Sequence, residues 1–133
     1  VKKTKKPKAS TLRNKLDKVW ADIIKQKGSC EYCGKTTYLN AHHIFSRSNL
    51  STRWEISNGV CLCVGCHVFS SKFSAHKTPT EFVYWLQTVR ARNFMPALRK
   101  KSRETIKYSI SDLQDLLESL REHLEKLSPT IIK

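Results

Sequence analysis

Two short cysteine pairs, Cys30-Glu31-Tyr32-Cys33 and Cys63-Val64-Gly65-Cys66, constrain this chain more than any other feature. A C-x-x-C turn aims two thiolates at one point, and two such turns complete a tetrahedron around a zinc ion. Any fold must therefore bring the two pairs together. Gly34, just after the first pair, and Gly65, inside the second, supply the backbone freedom that such tight turns need. Four thiolates leave no open coordination position, so this zinc would be a structural staple rather than a reagent. A staple is expected in a chain of 133 residues, whose modest core is only marginally stable alone. The fifth cysteine, Cys61, competes with Cys63 on spacing, because on a strand both would point to one face. The C-x-x-C match favours Cys63, and Cys61 then reads as a small buried hydrophobe. An odd cysteine count and the C-x-x-C spacing both argue for thiolate metal binding over a disulfide framework.

Charge narrows the partner. The formal net charge is +14, from 25 Lys plus Arg against 11 Asp plus Glu, which favours polyanions and nucleic acid first among them. The last stretch, residues 109–133, is acidic on balance and lies outside the expected DNA-binding part. Long apolar runs are absent, which argues against a membrane span, and the Lys-rich beginning lacks the apolar stretch of a secretory signal. A cytoplasmic setting is the expectation, the host cytoplasm if the chain is phage-encoded.

Four segments follow from composition and periodicity. Residues 1–9 carry five lysines and almost nothing to bury, as a disordered basic tail would. Residues 10–27 place Leu12, Leu16, Val19, Trp20, Ile23 and Ile24 at helical spacing and stop at Gly28, predicting a helix from about Leu12 to Lys27. Residues 28–77 hold the chemistry. Residues 78–133 form a helical extension, part of the same domain or packed on it. In it, Thr78-Pro79-Thr80-Glu81 resembles a capping box ahead of an apolar face of Phe82, Trp85, Leu86 and Val89. A basic stretch from Met95 to Tyr108 predicts a linker or a short helix laid on DNA backbone. Ser111 and Gln114 would open a last helix with Leu113, Leu117, Leu120, Leu124 and Leu127 in a two-heptad seam. That length favours packing within the chain over a dimeric coiled coil, so the expectation is a monomer or a weak homodimer through the C-terminal helix.

Between the knuckles lies Asn40-Ala41-His42-His43-Ile44-Phe45, and His67 directly follows the second knuckle. Adjacent side chains on a strand face opposite ways. His42 and His43 could share a site only if the strand ends or twists there, or if metal and attacking water lie on different sides of it. These residues resemble the H-N-H endonucleases, specifically the zinc-bearing, phage-type members: His43 stands at the first histidine, Asn58 at the asparagine, and His67 at the last histidine, in Cys61-Leu62-Cys63-Val64-Gly65-Cys66-His67. The resemblance covers roughly residues 28–77 and implies a ββα-metal core, a hairpin followed by a helix.

The resemblance further implies a metal-dependent DNA endonuclease in which His42 and His67 ligate one divalent ion, Mg2+ or Mn2+ with Ni2+, Co2+ or Zn2+ as alternatives. His43 would deprotonate the attacking water and Asn58 would hold the loop that orients the base, giving 5′-phosphate and 3′-hydroxyl ends. The position four residues after His67 is Ser71, a poor ligand, so His76 is the next candidate. Nine residues of continuous helix turn through about 900° and advance about 13 Å, so His76 joins His67 only if the helix ends near Phe73. Arg47, and after it Arg53, could clamp a phosphate through the guanidinium fork. Lys72 is a weaker DNA-contact candidate, and Trp54 is expected to pack rather than stack on a base. The expected fold class is thus a small α/β domain, a ββα-metal hairpin with a four-cysteine zinc site flanked by α-helices. A non-catalytic zinc module that only binds DNA is the first rival, and a branched-DNA resolving nuclease the second.

Overall fold

The computed structural model describes residues 5–127. The elements in chain order are α1 (Ala9–Lys25), β1 (Leu39–His43), α2 (Leu50–Arg53), a 3-10 turn (Ile56–Asn58), β2 (Gly59–Cys63), a wide π-type turn (Gly65–Phe69), α3 (Pro79–Val89), α4 (Phe94–Ser102) and α5 (Ile110–Leu127). β1 and β2 pair antiparallel, with Leu39 opposite Cys63 and His43 opposite Gly59. No helix among the described residues is long and apolar enough to cross a membrane.

The hairpin is sandwiched between two cores. On one side, Cys61, with Leu39 and Ala41 beside it, packs on the apolar stripe of α1 and on Leu113, Leu117 and Leu120 of α5. On the other, Val60 and Leu62 pack with Cys30, Cys63, Cys66, Phe73, Phe82 and Leu86. All five residues of β2 are therefore buried, which a two-stranded sheet achieves only when both of its faces are covered. Cys61 is the buried small residue expected, apart from the cysteine cluster.

Helix α1 begins at Ala9, three residues before the expected start, and closes two residues before Lys27, with Gly28 at φ +78° beyond it. The expected basic tail falls partly on residues 1–4, outside the described residues, and is not tail at Ala9. Two capping expectations need correction. Thr78 Oγ1 turns back to Ser74, donating to its carbonyl at 3.0 Å and accepting its N–H at 2.9 Å, and makes no cap hydrogen bond to α3. At α5 the reciprocal box is Ser109 with Asp112: the Asp112 N–H donates to Ser109 Oγ at 3.0 Å and the Ser109 N–H to Asp112 Oδ2 at 2.9 Å. Ser111 and Gln114 lie inside the helix. The leucine seam of α5 is spent on α1, with Leu127 alone left exposed. The basic stretch contains the short helix α4, followed by irregular chain.

Gly59 opens β2 where α1 crosses it. A Cβ there would collide with the Ile24 side chain and the Trp20 ring, so only glycine admits this approach. Gly59→Ala should cost about 1–3 kcal/mol through overpacking, seen as a thermal midpoint lower by roughly 3–15 °C.

Candidate active site and metal centres

The cysteine cluster forms where the turn Cys30–Gly34 meets the end of β2. Cys30, Cys33, Cys63 and Cys66 place their sulfurs within 4.8 Å of one another, and Cys33 and Cys63 Sγ are 3.6 Å apart. Gly34 takes φ +82° to close the first turn. Burial raises the Cys33 and Cys66 thiols, and neighbouring sulfurs raise them further. Burial also opposes ionisation of Cys30, yet the backbone N–H groups of Cys33, Cys63 and Tyr32 bring it down to about 7. Four sulfurs this close cannot all ionise without a cation between them, so the donor set suits a soft divalent ion. Glu31, inside the first pair, fastens the knuckle to its surroundings. It accepts the Cys61 N–H at 2.8 Å and Arg90 Nη2 at 3.0 Å, and lies 3.7 Å from Lys27 Nζ. Its position between two cysteines marks it only as solvent-facing, so spacing could not have found it.

A second cluster lies on the α3 side of the hairpin. His42, His67 and His76 bring ring nitrogens within 4.8 Å of one another. His42 projects from β1 towards Phe82, and His67 comes from the π-type turn. His76 reaches them because the turn ends at Phe69 and the chain doubles back, with the Ala75 N–H donating to the Cys66 carbonyl at 2.9 Å and the His76 N–H to the His67 carbonyl at 3.0 Å. The helix therefore stops even earlier than Phe73, and the nine-residue phase problem disappears. Burial, then the charges of His67 and His76, depresses His42 to about 3, and burial depresses His67 as well. Both shifts favour the neutral form of His42 and His67, the form that ligates. Asn40 Nδ2 donates to His67 Nδ1 at 3.2 Å. The amide turned over would present Oδ1 to an Nδ1–H and leave Nε2 free for an ion.

His43 faces the opposite way, as strand alternation requires. Its ring stacks on Trp20 of α1, centroids 3.9 Å apart and planes 13° from parallel, and Nε2–H donates to the Arg53 carbonyl at 3.0 Å. A carbonyl only accepts, so Nε2 carries the proton and Nδ1 keeps its lone pair. Burial lowers the His43 pKa, partly opposed by the Arg53 carbonyl and by Asp17. Because β1 ends at His43, the two faces meet at the strand's end.

The fully buried Asn58 fixes that end. Its Oδ1 accepts the Phe45 N–H at 2.8 Å and its Nδ2 donates to the Phe45 carbonyl at 3.0 Å. Its own carbonyl accepts the Ile44 N–H at 2.8 Å. Arg53 is closed on Asp17 by two bonds, Nε to Oδ1 at 3.0 Å and Nη2 to Oδ2 at 2.7 Å, and its side chain is 13% exposed. Arg47 touches Asp17 only at 3.5 Å and is 65% exposed, so of these two guanidiniums it is the one open to solvent. Trp54 is buried and donates Nε1–H to Asp17 at 2.8 Å, as the packing expectation for it requires. Lys72 is exposed on the loop beyond Phe69, and His123 is on α5, outside the histidine cluster. Asp17 and Trp20 were not found from sequence, because both sit in an ordinary amphipathic helix and only folding carries that helix to the histidines.

Residues 30–72 match the HNH endonuclease family model. These residues form an HNH endonuclease domain. The HNH domain includes both cysteine pairs, His42, His43, Asn58 and His67; His76 lies four residues beyond it, and α1, α3, α4 and α5 lie outside. No curated protein and no solved structure matches the chain.

The two clusters should respond differently to substitution. Cys63→Ser should lose one bound metal equivalent and much of the folded signal, since Cys63 is in the second core. His76→Ala should lose a different equivalent with little change in melting, because His76 is exposed. Elemental analysis and circular dichroism on both variants check this. Burial alone would raise the Asp17 carboxyl, but bonds from Arg53 and Trp54 and the charges of Arg53 and Arg47 hold it below its ordinary 3.8. Its stabilising contribution is then present above the unfolded-state value and lost as pH falls through the folded one. Asp17→Asn should be less stable in urea near neutral pH and show a flatter loss of stability below about pH 4.

Proposed function

We propose that this protein hydrolyses DNA phosphodiester bonds with His43 as general base and a single divalent ion held by His42, His67 and His76. The observation that carries this reading is the arrangement at the end of β1: a three-imidazole cluster on one face, and on the other a histidine whose Nε2 proton is committed to the Arg53 carbonyl. That hydrogen bond fixes the tautomer and supports the positive charge His43 gains when Nδ1 takes a proton from water. Trp20 holds the ring in plane, and Asn58 fixes the strand end from which it projects. When bound, the ion would supply charge stabilisation at the phosphate and the leaving 3′ oxygen. Three imidazoles favour Mn2+, Co2+, Ni2+ or Zn2+ over the oxygen-seeking Mg2+. The four cysteines would hold a structural Zn2+.

Arg47 is the phosphate-contact residue in this reading, with Lys72 touching the backbone to one side. Arg53 acts through its carbonyl, since its fork is occupied by Asp17. A net charge of +14 supports DNA as the partner.

His43→Ala should lower nicking of supercoiled plasmid by roughly 10²–10⁴-fold, the range of general-base contributions, with DNA affinity unchanged. Full retained activity would remove His43 from the mechanism. A wild-type protein that binds DNA yet cuts none with any divalent ion would instead be a zinc-dependent binding module.

A further inference from the structure

We propose that the groove between α3 and α4 holds an unpaired nucleotide of the DNA being cut, so that the protein prefers forked or branched DNA to continuous duplex. This rests on the nuclease reading and extends it to substrate shape. The groove has a volume of ≈ 610 Å³ and is lined by Phe45, Gln87, Met95, Arg99, Lys100 and Arg103, among others. That volume falls within the range of sites that enclose a small ligand, roughly 300–1,000 Å³.

Its chemistry has two parts. Met95, Arg99 and Arg103 follow one another at four-residue spacing and share one side of α4 and its end. Among the described residues, the Arg99, Lys100 and Arg103 side chains enter no ion pair, so their charge is available to phosphate. Backbone phosphates need nothing further. Here, however, the cations border the Phe45 ring and the Met95 thioether, a flat and a conformable apolar wall of the kind a nucleobase face meets. The Gln87 amide can both donate to and accept from a base edge. A paired, stacked base could offer its face to this wall only after being turned out of the helix at an unstacking and unpairing cost, so a nucleotide already outside the helix is the favoured occupant.

The groove is also tied to the reacting end of β1. Phe45 is two residues from His43, at most about 7 Å along the chain, and both its backbone polar groups are held by Asn58. Helix α4 is moored on the loop that presents Arg47 and the Arg53 carbonyl, through Asn49 Nδ2 donating to the Ser102 carbonyl at 2.7 Å and an ion pair of Lys101 with Glu55 at 2.9 Å. A base seated against Phe45 would thus set which phosphate reaches His43.

The test compares fluorescein-labelled duplex, fork and single strand of one sequence by anisotropy at fixed salt, with the full chain carrying His43→Ala to stop turnover. The fork should bind at least about tenfold tighter than the duplex, the scale of one base stacked on an aromatic ring. Adding Arg99→Gln with Arg103→Gln, both exposed and safe for folding, should bring the fork-to-duplex ratio close to one. Phe45→Leu, which keeps the apolar volume and removes the ring face, should do the same with an unchanged circular dichroism spectrum. Absence of any fork preference overturns the proposal, as does an equal loss on fork and duplex, which marks plain backbone contact. Failure of the nuclease reading looks different: a fork preference that persists in a protein that cuts none of the three DNAs.

Discussion

The pairing of β1 with β2 is the constraint on which the rest of the structure depends. Two strands alone are marginal in water, and this hairpin is stable because each face is covered by a different core. The register sets Asn40 and His42 towards α3 and Ala41 and His43 towards α1. A slip of one residue would exchange the faces. It would then carry His42, of the three-histidine cluster, onto Trp20 and the tryptophan-stacked His43 into that cluster.

Each core serves one half of the site. The α3 side is built around the cysteine cluster, where the turn after Cys30 meets the end of β2, and His67 emerges directly after the second cysteine pair. The α1 side supplies Trp20 against His43 and Asp17 against Arg53, Arg47 and Trp54. Asp17 thereby shapes the end of α2, whose Arg53 carbonyl accepts the His43 Nε2–H hydrogen bond, although it touches neither the histidine cluster nor a cysteine. Glu31 plays the matching part on the other side, joining the knuckle to β2 and to Lys27 and Arg90, just beyond the ends of α1 and α3.

Much of this was legible in the sequence because it depends on local spacing. The C-x-x-C pairs, the tandem histidines, the stripe of α1 and the leucine seam of α5 are short-range patterns that steric and hydrophobic periodicity express directly. The two capping signals were misleading for an equally local reason. A hydroxyl near a helix start can bond forwards or backwards, and Thr78 bonds back to Ser74. The expected helix after β2 is a single wide turn, since the chain reverses after Phe69 to make the backbone bonds of residues 75 and 76.

The sequence by itself determined the chemistry present: four thiols spaced for one soft ion, two histidines and an asparagine between the pairs, a third histidine directly after them, and a surplus of positive charge. Only the tertiary structure decided how these groups are shared out. It brought His76 within reach of His42 and His67, closed Arg53 on an aspartate and left Arg47 open, and carried Asp17 and Trp20 in from a distant helix. The physical reason is that residue type and spacing fix what a segment can bond, whereas contacts between residues far apart along the chain are selected by which faces the two cores must bury.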